Sequence, residues 1–321
     1  MTIQVSTVQF QHRASDKVYN LKHISEFVEK AKSAGSDFVA FPEMCITGYW
    51  HVPKLDKAGL DALAEPLSGP SISQVTALAK SKGIAIGAGF VELGSAGEYH
   101  NCCVVCFPDG TQHCHRKLHA WEHELFKSGD TYTVFDTPWG IRAGILICWD
   151  NNIIENARAT ALLGAELLIA PHQAGGGQSV SPHGMKHIPI EKWEQREINP
   201  QAIEDEILGP NGREWFMRWL PSRAHDNGMF LVFSNGIGQD EDEVRTGNAM
   251  VLDPYGRVIA ETWAAADDIV TAELDLSLLD KCTGQRWLRG RRPELYQPLV
   301  ASNSDNLTPM EARYSNASTR E

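Results

Sequence analysis

Three segments of the 321-residue chain each end an apolar run with a reactive side chain. FVAFPEMCITGY carries Glu43 just after the turn-forming Pro42, CHRKLHAWEHELFKSGD carries Lys117, and GILICWDNNIIENARATALLGAELLIAP carries Cys148. Together a thiol, a carboxylate and an ammonium can cleave a carbonyl–nitrogen bond. The thiol attacks the carbonyl carbon, and the carboxylate takes the thiol proton and returns it to the departing amine. The tetrahedral oxyanion needs fixed donors, for which the Lys117 ammonium and the backbone N–H of Trp149 are the candidates. A cysteine at a strand-to-helix junction also sits near unpaired N–H groups, which are expected to lower its pKa and favour thiolate. His172 and Gln173 follow the next apolar run and are candidates for the substrate pocket.

These residues need elements to hold them. Short apolar runs alternate with helix-period segments, the pattern of α/β layering. Strands are expected at Ile3 to Phe10, Asp37 to Phe41, from Gly83 onward, Ile141 to Cys148 and Glu166 to Ala170. Val18, Leu21, Ile24, Val28 and Ala31 recur at spacings of three and four, predicting a helix that ends near Gly35. Further helices are expected over Ser71 to Lys82, over Ile153 to Leu163, and around Trp215, Trp219 and Leu220. Cys102 to Phe107 and Thr111 to Arg116 flank a Pro-Asp-Gly turn and read as a hairpin. NAMVLDPYGRVIAET, after the strand FLVFSNGIG, echoes that hairpin and points weakly to two similar halves. Ligand sites in open α/β sheets lie beyond the carboxyl ends of strands, so the three reactive segments can converge.

Their order and wording resemble the nitrilase superfamily, the carbon–nitrogen hydrolases with a Glu-Lys-Cys triad. FPE followed by TGY, RK-L-H after a hairpin, CWD followed by Glu155, Arg158 and GAELL, and the terminal RRPELY all match, from Gln4 to about Leu299. The resemblance implies a four-layer α-β-β-α sandwich, no metal or organic cofactor, and a homodimer or larger homo-oligomer formed across the helical face. It also implies a second glutamate that holds the lysine. Glu122 lies four residues before Phe126 and ahead of Gly129 and Asp130, with Glu124 as its rival. The expected organisation is a hydrolase domain over residues 1–300, with an insertion at about 172–212, and a tail at 301–321.

Lys and Arg total 29 against 41 Asp and Glu, a net charge of −12 that disfavours nucleic acid and anionic membranes as partners. No window is apolar enough for a membrane span, and seven irregularly spaced cysteines argue for reduced thiols in the cytoplasm. Cys102, Cys103, Cys106, His113, Cys114 and His115 are dense but fit no ordinary zinc spacing, so no metal is expected. Glu155 and Arg158 read as a helical ion pair.

Asp150, where true nitrilases carry glutamate, the FPEMCITGY segment and His119 all favour the amidase and carbamoylase branches. Asn151 and Asn152 stand where carbamoylases of amino-acid derivatives often carry arginine, which favours a neutral substrate or one held by other groups. The expected reaction is hydrolysis of a small amide with release of ammonia, with ureido and nitrile substrates as alternatives and a non-catalytic binding protein as the competing class. The insertion, with Ile188, Ile190, Trp193, Ile198, Ile203, Ile207 and Leu208 as anchors, is expected to wall or cover the pocket, moving on the glycines at 175–177. Its acidic residues beyond Gln201 are expected to disfavour anionic substrates.

Overall fold

The computed structural model describes residues 1–175, 177, 181–301 and 306–314. Its strands are β1 (Thr2–Gln9), β2 (Phe38–Ala40), β3 (Ala85–Leu93), β4 (Tyr99–Cys106), β5 (Gln112–Arg116), β6 (Thr133–Asp136), β7 (Arg142–Ile145), β8 (Leu167–His172), β9 (Phe230–Asn235), β10 (Ile237–Asp240), β11 (Glu243–Thr246), β12 (Met250–Leu252), β13 (Val258–Glu261) and β14 (Asp268–Asp275). The helices are α1 (Lys17–Ser33), α2 (Lys57–Leu63), α3 (Pro70–Lys82), α4 (Ile154–Leu162), α5 (Ile190–Glu194), α6 (Pro200–Leu208), α7 (Arg213–Met217), α8 (Leu220–His225), α9 (Thr283–Arg289), α10 (Gln297–Val300) and α11 (Pro309–Tyr314).

Two six-stranded sheets result, in the orders β14-β1-β2-β3-β4-β5 and β13-β12-β9-β8-β7-β6, with β10 and β11 as a separate hairpin. In the first, β1, β2 and β3 run parallel before β4 turns back. In the second, β7, β8 and β9 run parallel before β12 turns back. The weak echo between the two hairpins is therefore part of a repeat in which β4-β5 and β12-β13 occupy equivalent places.

Period-two alternation separates the layers. Phe38 and Ala40 face a core shared between the sheets with Val5, Ile145, Leu167, Ile169 and Val232. Val39 and Phe41 point the other way, onto Leu21, Ile24 and Val28 of α1 and Ile72, Val75 and Ala79 of α3. Leu168 and Ala170 likewise leave the second sheet to meet Ala157 of α4 and Leu220 and Ala224 of α8. Helices thus cover the outer face of each sheet, giving the α-β-β-α sandwich. Burial of a Phe or Leu side chain in such layers contributes about 1.5–3 kcal/mol.

Several local expectations need correction. Val18 is 82% exposed, and Asn20 takes the inward place on α1 because its amide donates to the carbonyls of Arg13 and Ile46. The Glu155–Arg158 pair does not form among the described residues; burial lowers the pKa of Arg158, against the nearby Asp226 carboxylate. The run FLVFSNGIG is broken at Gly236, where the chain leaves β9 for β10. A Cβ at Gly236 would strike the side-chain amide of Gln173. One helix around Trp215 is in fact two, α7 and α8, since Pro221 starts a new first turn.

The expected insertion is not a loop without periodicity. Ile188, Trp193, Ile203 and Ile207 bury against Ile237 and Val244 with α5 and α6 as their frame, whereas Ile198 is 88% exposed and Leu208 also faces solvent. Gly176 lies outside the described residues. No helix among the described residues is long and apolar enough to cross a membrane.

Candidate active site

The carboxyl ends of β2, β5, β7 and β8 bring the candidate residues together. Glu43 sits in the turn after β2, and its backbone N–H donates 3.3 Å to the carbonyl of His172 at the end of β8, linking the two sheets. Gly89 on β3 makes room for this turn, because a Cβ there would collide with the backbone N of Met44. Lys117 follows β5 and is fully buried. Its Nζ donates 2.8 Å to Glu43 Oε1 and also to Glu122 Oε1. Asn101 on β4 ties the same two carboxylates, at 2.7 Å to Glu43 and 3.0 Å to Glu122. Glu122 is buried, whereas Glu124 is exposed to solvent.

Burial alone would strip the lysine of its proton, but the Glu122 and Glu43 carboxylates outweigh it and hold Lys117 well above its ordinary pKa. For Glu43, burial is the largest influence, opposed by Lys117 and reinforced by the Glu122 charge, and its pKa rises to about 7. Its Oε2 is buried with no hydrogen-bond partner among the described residues. An ionised base with one free oxygen and a pKa near neutrality is suited to move a proton.

Cys148 has φ of 48°, a left-handed conformation that a non-glycine residue adopts at a cost of order 1–3 kcal/mol. This elbow turns the side chain into a cavity of about 340 Å3 that Trp149, His172 and Gln173 also line. The expectation of a helix-stabilised thiolate is not met. A short 3-10 turn, Cys148–Asn152, separates the cysteine from α4. Burial and then the Glu43 charge push the thiol above its usual range, against Lys117 and a hydrogen bond from the Gln173 backbone N–H. The resting group is a thiol that needs a base.

The Trp149 N–H has no acceptor among the described residues. His172 is held neutral, its pKa pushed down to about 3 by burial and the nearby Lys117 charge, and its Nε2 lies 3.1 Å from the Asn151 amide. Gln173 donates 2.9 Å to the Glu43 carbonyl.

Asp150 was legible as a marker of branch but not as a clamp. Its carboxylate accepts from the backbone N–H groups of Ile147 and Leu118 at 3.1 Å and of His119 at 2.9 Å, so it ties the cysteine elbow to the lysine loop. Burial opposes its charge, yet hydrogen bonds from His115 and His119 prevail and keep its pKa well below the usual carboxylate range. Arg223 fastens the other side of the elbow, with Nε 2.7 Å from the carbonyl of Asn151. Asp150→Ala should leave three N–H groups unpaired, that of Ile147 buried and those of Leu118 and His119 half-buried, and lower unfolding free energy by about 3–5 kcal/mol in urea titrations at pH 7. A depressed folded pKa makes this contribution present above the ordinary Asp pKa and lost as pH falls through the folded value. Wild type and variant should therefore converge in acid. Equal stability at pH 7 would remove the clamp.

Sequence reasoning missed other lining residues. Tyr49 and Trp121 reach the cavity from the glutamate and lysine segments, and Trp50, Trp215, Phe216, Trp219, Glu243, Arg245 and Arg313 from segments without motif character. Asn101 had one signal, a primary amide inside an apolar strand. The insertion contributes Ala174, Gly175, Gly177 and Met185 to the lining. Its acidic residues on α6 do not line the cavity, and Glu206 is paired with Lys192, so the expected effect on anionic substrates has no support from their position.

Among the described residues a metal has one cluster to consider. Glu92, Cys102 and Cys114 bring ligand atoms within 4.8 Å of one another. Arg116 already holds Glu92 through Nε and Nη2 at 2.7 and 2.9 Å, and Cys102 donates to it as well, so the group is satisfied as an ion pair.

Comparison with known proteins agrees with this geometry. The carbon-nitrogen hydrolase family model matches residues 4–283. An (R)-stereoselective amidase of a Pseudomonas species is 30% identical over 283 residues, 86% of each chain. The N-carbamoylputrescine amidase of Arabidopsis thaliana is 27% identical, over 94% of this chain and 97% of that one. Among solved structures, a mutant amidase of Nesterenkonia AN1 from the nitrilase superfamily superposes with a TM-score of 0.69 at 19% identity, covering 93% of this chain and 98% of that one.

Proposed function

The chain belongs to the carbon-nitrogen hydrolase family and hydrolyses C–N bonds, and we propose that its substrate is a small amide cleaved through a thioester on Cys148. The observation that carries the reading is the free Oε2 of Glu43 beside a protonated thiol. Glu43 takes the Cys148 proton as sulfur bonds to the carbonyl carbon. The oxyanion is held by the Lys117 ammonium and the Trp149 N–H. Collapse breaks the C–N bond, and Glu43 returns the proton so that ammonia leaves. Water, deprotonated by Glu43, then cleaves the thioester to the carboxylic acid and regenerates the thiol. Glu122 and Asn101 position Lys117 and Glu43. His172 and Gln173 shape the floor, Gln173 also donating its backbone N–H to the sulfur.

A panel of primary amides, N-carbamoyl compounds and nitriles assayed for ammonia release tests this reading. Amides should lead in kcat/KM by tenfold or more. A lead for nitriles would overturn the amide assignment. N-carbamoyl compounds form the second reading, favoured by the Arabidopsis relative, and would be chosen by a comparable lead.

The acid limb of kcat/KM should have its midpoint near pH 7, because Glu43 must be ionised to accept the proton. Removing the Glu122 charge in Glu122→Gln takes away a cause of the raised pKa, so the limb should move to lower pH as the rate falls. Glu124→Gln should change neither. An unmoved limb for Glu122→Gln would detach that residue from the base.

Ile154 and Leu162 of α4, Trp287 of α9 and Leu299 of α10 leave an exposed apolar face. We assign it to pairing of two copies, which a monomer in sedimentation at micromolar concentration would contradict.

A further inference from the structure

The cavity above Cys148 is lined by rings from two separate packing groups. On one side stand Tyr49, Trp50, Trp121 and Trp149, joined by centroid distances of 6.2 Å for Trp50–Trp121 and 5.9 Å for Trp121–Trp149. On the other stand Trp215, Phe216 and Trp219, packed with the outer core of the second sheet, with Trp219 5.9 Å from the His172 ring. Among the described residues no ring of one group contacts a ring of the other. The space between them is a slot with aromatic walls and the nucleophile at its base.

Its size suits more than a minimal amide. A site of about 150 Å3 is enough for a benzene ring, and this cavity holds about 340 Å3. Charge narrows the choice. The Arg245 guanidinium lies 5.0 Å from the Tyr49 centroid and 5.3 Å from that of Trp50. The Arg313 guanidinium lies 4.6 Å over Trp121. A cationic substrate would meet ring faces already occupied by cations, and Glu243 is engaged by Arg245 at 2.8 Å. An uncharged flat group meets no such conflict.

Helix α11 completes one wall. Arg313 covers a face of Trp121, and Tyr314 meets the same ring edge-on at 6.1 Å. Trp121 therefore stands between the C-terminal helix and Trp149, the neighbour of the nucleophile.

Resting on the amide-hydrolase reading, we propose that the slot selects uncharged amides whose acyl group carries an aromatic ring, and that Arg313 and Tyr314 determine this specificity by fixing Trp121. The ring lies between the two walls, with the amide carbonyl directed at Cys148. Planar stacking and edge contacts reward an aromatic group over an alkyl group of equal size.

The test uses the full-length protein and its Arg313→Ala, Tyr314→Ala double variant, whose exchanged residues lie on a helix without buried positions. Hydrolysis of phenylacetamide, acetamide and succinamate is measured. In parallel, Cys148 is alkylated by 2-chloro-2-phenylacetamide and by 2-chloroacetamide, each rate normalised to that with glutathione. Phenylacetamide should exceed acetamide in kcat/KM by at least tenfold, the phenyl reagent should show a similar preference, and the double variant should cut both ratios at least fivefold. Amide hydrolysis without a phenyl preference, a lead for succinamate, or ratios untouched by the double variant would each overturn the proposal. If no amide is hydrolysed but the alkylation preference is present and falls in the variant, the slot stands and the amide reading fails.

Discussion

Cys148→Ala should lower kcat/KM by at least about 10,000-fold, some 5.5 kcal/mol of transition-state stabilisation, while leaving the fold unchanged. The size follows from the covalent step. Without sulfur no thioester can form, and a water activated by Glu43 would have to attack the less reactive amide directly, with binding and the oxyanion donors as the other remaining help. The fold should survive because the residue lines a cavity and a methyl group replaces a thiol there. Alanine also loses nothing that holds the elbow, since Asp150 and Arg223 grip the backbone on either side of it. Circular dichroism and urea midpoints check the fold, and ammonia release checks the rate. Turnover within a hundredfold of wild type would exclude Cys148 as nucleophile.

The second large effect is expected at Glu43. Glu43→Gln keeps the side-chain shape and can keep an oxygen toward Lys117, but it cannot accept the thiol proton. Because the thiol is pushed up by burial and rests protonated, loss of the base should slow acylation by about 100- to 10,000-fold. The acid limb near pH 7 should vanish with it, since the group that titrates there is gone. A variant that retains the limb, with the rate reduced tenfold or less, would assign the proton to another carboxylate.

The convergence of Glu43, Lys117 and Cys148 was legible because each follows the carboxyl end of a strand, β2 and β5 in one sheet and β7 in the other. Local pattern sufficed for β1, α1, α3 and the β4-β5 hairpin, where apolar period and turn residues agree. It failed where tertiary contacts decide. Val18 fits an apolar stripe in sequence, yet Asn20 turns inward because two backbone carbonyls near the Glu43 turn need its amide. The hairpin of β10 and β11, IGQDEDEVRT, carries four acids in ten residues and no apolar alternation that marks it as strands. Asp240 and Glu243 are buried there because Arg245 pairs with both and His12 also lies 3.2 Å from Asp240, whereas Glu241 and Asp242 face solvent.

The state of Cys148 was misread for a similar reason. A strand followed by a helical pattern suggests a helix dipole, but whether the thiol feels it depends on the intervening turn and on Glu43, which arrives from another sheet. The aromatic walls were the least legible feature. Trp50, Trp121, Trp149, Trp215 and Trp219 are scattered over about half the chain, and a single sequence gives no sign that they face one cavity.

Acid-quenched mass spectrometry during turnover, with and without hydroxylamine, tests the central claim most directly. The account predicts a mass gain equal to the amide minus ammonia on the peptide containing Cys148, and diversion of product to the hydroxamate as hydroxylamine is raised. An unmodified Cys148 throughout full turnover, with hydroxylamine diverting no product, would contradict it.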